Sequence, residues 1–87
     1  MKIKSGFMLR EIAGQWVVVP IGARVVEFNN IMTLTESGAI LWKLLEKGTN
    51  EEEMASALMS EYKVDRELVT RDIRNFIESI KAKGLCE

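Results

Sequence analysis

Ile31-Met32-Thr33-Leu34-Thr35-Glu36-Ser37-Gly38-Ala39-Ile40-Leu41-Trp42 is where the chain changes character. Its first four residues have the composition of a strand, whereas from Glu36 onward the apolar side chains belong to a helix. Thr35 stands between the two as an N-cap whose hydroxyl is placed to accept a backbone N–H, and Glu36 in the first turn complements the positive end of the helix dipole. A strand that runs without a loop into a helix divides the chain into an extended half and a helical half.

On the amino-terminal side, Phe7-Met8-Leu9-Arg10-Glu11-Ile12 and Gln15-Trp16-Val17-Val18-Val19 are rich in β-branched and aromatic residues and flank Ala13-Gly14. Glycine permits the positive φ of a tight turn there, so the two runs form a β-hairpin. Pro20 cannot donate to a ladder and Gly22 permits a turn, which ends the second strand. Arg24-Val25-Val26-Glu27-Phe28 makes another short extended run, and Asn29-Asn30 suits a type I′ turn. Ile31 to Leu34 is then the last strand of a small antiparallel sheet of three to four strands.

On the carboxyl-terminal side, Ala39, Ile40, Leu41, Trp42, Leu44 and Leu45 cover more than one face of the first helix, which makes it the centre of the core; it ends at Gly48, after Lys47. Thr49 and Glu52 have capping-box spacing and open a second helix with Met54, Ala55, Leu58 and Met59 on one stripe. Glu51, Glu52 and Glu53 cluster at its positive end, where successive side chains diverge around the axis and do not converge on one ion. Asp65 is the N-cap of a third helix with an apolar stripe at Val69, Ile73, Phe76, Ile77 and Ile80. Lys81 and Lys83 lie at its negative end, and Gly84-Leu85 spells a Schellman ending. The fold class is α+β, a winged helix-turn-helix in which an amino-terminal antiparallel sheet packs on a cluster of three helices.

The 87 residues allow a single domain, 1–87, and 47% hydrophobic with 29% charged residues is an ordinary globular composition. No apolar run approaches the roughly 20 residues of a membrane helix. Lys2 and Lys4 are followed by Arg10 and Glu11 before a signal-peptide core can form, and the lone Cys86 fits a reducing cytoplasm and a packing role. Twelve Lys and Arg against thirteen Asp and Glu give a net charge of −1, which lends no bulk support to phosphate binding. With no histidine and one cysteine, the chain lacks the commonest general base, every His/Cys metal-ligand set and any intrachain disulfide. It has no Gly-rich phosphate loop or nucleophile elbow either. No catalytic residue, cofactor or metal is expected, and binding is the remaining class.

Two surfaces offer themselves. If Ile31, Met32, Thr33 and Leu34 form a border strand, their unpaired N–H and C=O groups can accept an extended peptide. The non-core side of the third helix carries Arg71, Arg74 and Asn75, which could meet phosphates, bases or peptide carboxylates. A plain paired strand and a solvated helix face are the structural alternatives. Glu61 with Asp65 and Asp72 with Glu78 read as solvated helix faces.

The succession Gly6 to Ile12, Trp16-Val17-Val18-Val19-Pro20, Leu34-Thr35-Glu36-Ser37-Gly38-Ala39-Ile40-Leu41-Trp42, Asp72-Ile73-Arg74-Asn75-Phe76-Ile77 and Lys83-Gly84-Leu85 resembles the PqqD family, named for coenzyme PQQ synthesis protein D. The most specific part is the Leu-x-x-Ser-Gly-x-x-Leu-Trp block. The chain departs from the family pattern at Thr35, where asparagine is frequent, at Ile21, where an acid is common, and in the extra run from Arg24 to Phe28. The resemblance implies a RiPP recognition element, a non-catalytic module for ribosomally synthesised and post-translationally modified peptides. Such modules hold the leader segment of a precursor peptide as an added strand and present the rest to a separate modifying enzyme, often a radical SAM protein. Carried onto this chain, the strand is Ile31 to Leu34 and the helix contacts come from around Arg71, Arg74 and Asn75.

A competing reading is a winged-helix DNA-binding or transcription-regulatory domain with the third helix in the major groove. That helix carries a net charge of only +2, from Arg66, Arg71, Arg74, Lys81 and Lys83 against Glu67, Asp72 and Glu78, and Glu51 to Glu53 oppose it. A third reading is an adaptor that binds only the modifying enzyme. Open strand edges leave a homodimer as a further alternative.

Overall fold

Both residues of the Ala13-Gly14 turn have positive φ, 52° and 80°, the pair of left-handed conformations that a two-residue type I′ loop requires. The turn joins β1 (Phe7–Ile12) to β2 (Gln15–Pro20) in the computed structural model of the chain, which describes residues 1–27 and 32–87. It fixes the hairpin register, from Ile12 opposite Gln15 to Phe7 opposite Pro20. The other side of β2 pairs antiparallel with β3 (Met32–Leu34), so the sheet order is β1-β2-β3 and β3 lies at an edge.

Between β2 and β3 the structure corrects the expected extended run at Arg24 to Phe28. Arg24–Glu27 forms a short helix, α1, and Phe28 lies outside the described residues. Gly22, at φ 60°, starts the turn, and successive bonds from Arg24, Val25 and Val26 N–H to the carbonyls of Ile21, Gly22 and Ala23 wind it up. The Arg24 side chain anchors it: its Nε donates to the Ser5 carbonyl at 2.9 Å, and its guanidinium lies 5.9 Å from the centre of the Phe7 ring. Val25 and Val26, whose β-branching suggested a strand, are exposed. The sheet of the described residues therefore has three strands. Asn29-Asn30 and Ile31 lie outside them.

The three longer helices are α2 (Glu36–Lys47), α3 (Glu51–Glu61) and α4 (Arg66–Ala82). Thr35 caps α2 as expected, its Oγ1 accepting the Gly38 N–H at 3.1 Å, and the helix stops at Gly48, φ 97°. The cap of α3 shifts by one residue from expectation. Asn50, not Thr49, accepts the Glu53 N–H, at 2.8 Å, while the buried Thr49 turns its hydroxyl to the Glu53 carboxylate. Asp65 occupies the N-cap position of α4 without a side-chain capping bond. The far end of α4 closes as a Schellman motif, with Leu85 N–H donating to Ile80 and Gly84 N–H to Lys81, and the Leu85 side chain is buried.

Strand alternation turns Phe7, Leu9, Val18, Met32 and Leu34 toward the helices. Trp42, fully buried on α2, meets Phe7 edge to face with ring centres 6.3 Å apart. Leu45 beside it, Met54 and Leu58 from α3, and Ile73 and Ile80 from α4 complete the core. Met59, expected on the apolar stripe of α3, is instead exposed. Residues near both termini seal one end of the core: Ile3 bridges to Cys86, Lys4 N–H donates to Leu85, and the Cys86 thiol donates to the Lys2 carbonyl at 3.3 Å.

Ala13 has no reason to favour φ 52°, whereas asparagine tolerates that region and suits this turn. Ala13→Asn should therefore stabilise the protein by about 0.5 to 1 kcal/mol in urea unfolding, and Ala13→Val should destabilise it by a similar amount.

Candidate functional site

The hairpin decides what the outer edge of β3 offers. In an antiparallel pair, hydrogen-bonded and non-hydrogen-bonded residue pairs alternate. The Ile21 N–H donates to the Gly6 carbonyl at 2.9 Å, which sets the phase: Ile21, Val19, Val17 and Gln15 turn their backbone groups toward β1. Trp16 and Val18 therefore turn theirs toward β3, where Leu34 and Met32 stand opposite them. Thr33, opposite Val17, is left with its N–H and C=O at the outer edge of the sheet, where no further strand pairs among the described residues. Pro20 follows the same phase, because its missing N–H would not have pointed at β1. Met32 and Leu34 are half-buried against the core, and the Thr33 side chain is exposed.

Past Leu34 the edge opens into a hollow. A Cβ on Gly38 would lie 3.3 Å from Thr35 Oγ1 and 3.5 Å from both Leu34 Cβ and Phe76 Cε1, so glycine lets α4 approach the junction of β3 and α2. The half-buried Phe76, with Leu41, Leu58 and Val69, forms the apolar wall of a cavity of about 560 Å³. Glu36, Tyr62 and Asp72 stand among its polar lining residues. The Tyr62 hydroxyl donates to Glu36 Oε1 at 3.2 Å. Desolvation, this hydrogen bond and the charges of Glu36 and Glu61 hold the Tyr62 phenol above its ordinary pKa.

The residues expected to serve from α4 lie elsewhere on that helix. At about 100° per residue, Arg71, Arg74 and Asn75 point roughly 100° to 160° around the axis from Phe76. They line a neighbouring hollow with Glu67 and Glu78, which shares Leu68 with the first. Arg74 Nε also lies 3.5 Å from Glu51 Oε1 on α3, an exposed pair of small energetic weight. The structure thus brings Thr33, Leu34, Gly38 and Phe76 to one place and Arg71, Arg74 and Asn75 to another. Ile31 is outside the described residues.

Sequence reasoning assigned Phe76 to the core, Glu36 to the helix dipole and Asp72 to solvent. The available signal was the i, i+4 spacing that puts Asp72 and Phe76 on one flank of α4. Among the described residues no group of three His, Cys, Asp or Glu side chains is placed to hold a metal ion, and no helix is long and apolar enough to cross a membrane.

The model for coenzyme PQQ synthesis protein D (PqqD) matches residues 15–85. The chain belongs to the PqqD family. The match takes in β2, β3 and all three longer helices of this PqqD-family chain, hence the whole junction just described. Among solved structures, TbiB1 in complex with the TbiA(beta) leader peptide is 32% identical. The alignment covers 100% of this chain and 95% of that one, with a TM-score of 0.79. Lasso peptide synthetase B1 complexed with the leader peptide shares the fold at 21% identity, over 97% of this chain and 93% of that one, with a TM-score of 0.75. No curated protein matches the chain.

Tyr62 is the only tyrosine, so absorbance at the phenolate band during alkaline titration reports the hollow directly. Its midpoint should lie above that of an unperturbed tyrosine. Glu36→Gln removes an acceptor and a negative charge and should bring the midpoint down.

Proposed function

We propose that this PqqD-family chain is a RiPP recognition element that binds the leader segment of a ribosomally made precursor peptide by strand addition to β3. A separate enzyme then modifies the rest of the peptide. The single observation that carries this reading is the open edge of β3, where Thr33 presents both backbone groups outward, next to a groove floored by Phe76. The 32% identical TbiB1, solved with a leader peptide, supports it.

Main-chain bonds at Thr33 supply affinity that is indifferent to side chains, and the groove beyond Leu34 supplies selection. Ordering a flexible leader costs entropy, which favours reversible binding. Holding the leader beside an enzyme raises the effective concentration of the segment to be modified. On this reading the protein performs no chemistry of its own and works in the cytoplasm with a precursor peptide and a modifying enzyme, for which the family resemblance favours a radical SAM protein. Duplex DNA fits the same surfaces less well: Arg74 already faces Glu51, and the hollow beside β3 carries Glu36 and Asp72.

Thr33→Pro tests the placement, because its missing N–H lies on the edge that β2 does not use. The probe is a set of synthetic peptides selected on the wild-type protein from a displayed library of random dodecapeptides. The variant should melt close to wild type by circular dichroism while its affinity for these peptides falls about tenfold or more. Undiminished affinity in the folded variant places the peptide elsewhere.

A further inference from the structure

The hollow beyond β3 has a composition that selects among peptides. Its wall is apolar, through Leu41, Leu58, Val69 and Phe76, and among its lining residues are two carboxylates, Glu36 and Asp72, with no lysine or arginine. Both carboxylates are exposed, and Asp72 forms no ion pair among the described residues. Tyr62 donates to one oxygen of Glu36, which holds that carboxylate at the rim and leaves it lone pairs to spare. The positive end of α2 would by itself attract an anion. Two features offset it: the Thr35 hydroxyl has taken the Gly38 N–H, and Glu36 sits in the first turn.

We propose that this hollow is a specificity pocket for one lysine or arginine side chain of the bound peptide, three residues before the one that pairs with Thr33. The inference rests on strand addition at β3. An antiparallel added strand, the more stable pairing, runs opposite to β3 and therefore passes the α2 junction with its amino-terminal part. Side chains of the added strand alternate, so the residue opposite Leu34 and the residue two before it turn toward the helices. Three residues of extended chain span about 10 Å, which carries the second of these past Leu34 to Glu36. A basic side chain suits both parts of the site. Its methylenes lie along Phe76 and Leu41, and its charged head reaches the carboxylates at the rim.

The experiment repeats the selection from random dodecapeptides on wild type and on the Glu36→Gln, Asp72→Asn double variant, whose substituted positions lie outside the core. Intermolecular NOEs between Thr33 and each labelled synthetic peptide identify its register. Wild type should enrich lysine or arginine three residues before the Thr33 partner, and the double variant should not. Calorimetry should show the best lysine peptide losing about five- to tenfold in affinity on the double variant, with its norleucine analogue unaffected, and losing affinity as salt rises. Peptides that shift the Thr33 amide but show a neutral, aromatic or acidic residue at that position, or no preference, overturn the pocket and leave the strand-addition reading standing. Failure of any peptide to bind at β3 overturns both.

Discussion

A two-residue turn at Ala13-Gly14 governs a backbone group twenty residues further along. Because the loop is type I′, Ile12 and Gln15 form the hydrogen-bonded pair that starts the alternation, and every later pair in the sheet inherits its phase. The inheritance passes from β1 through β2 to β3 and leaves Thr33 facing outward. A one-residue slip of either register would exchange the roles. Thr33 would then face β2, Met32 and Leu34 would lose their seats against the core, and the edge would present different groups. Function at the edge is thus tied to stability in the middle of the sheet.

The helices hold this edge in place and give it its surroundings. Trp42 and Leu45 are sealed on α2, with Met54 from α3 and Ile73 and Ile80 from α4 packed around them. The same α2 begins immediately after β3, so the Thr35 cap joins strand to core with no intervening loop. Gly38 then allows Phe76 of α4 to reach the junction, and the apolar wall that results belongs to three elements at once. Such a groove is preorganised: its aromatic side chain is half-buried and fixed by packing before any ligand arrives, which lowers the cost of binding.

Local chemistry was legible in the sequence, and long-range contacts were not. Thr35, Gly48 and the Gly84-Leu85 ending act within a few residues of themselves, and each took its expected place. The Arg24 to Glu27 segment did not, because Val25 and Val26 have strand composition while the deciding contacts run from Arg24 back to Ser5 and Phe7. At α3, Thr49 and Asn50 are both competent caps, and burial of Thr49 beside Glu53 left the role to Asn50. Arg71, Arg74 and Asn75 are legible as the polar, non-core side of α4, whereas the side chain of α4 that reaches the β3 junction is Phe76, which its spacing alone assigns to the core. The resemblance supplied an expectation that no single residue stated, that the edge strand and the third helix together form a peptide site.

Amide hydrogen exchange at β3 tests the central claim most directly, because it reads the proposed contact itself. In the free protein the Thr33 amide, at the open edge, should exchange faster than those of Met32 and Leu34, which face β2. Saturation with a tight-binding peptide should slow Thr33 specifically, to a rate like that of its neighbours. A Thr33 amide already protected in the free protein, or one whose exchange is unchanged in the saturated complex, would contradict the account.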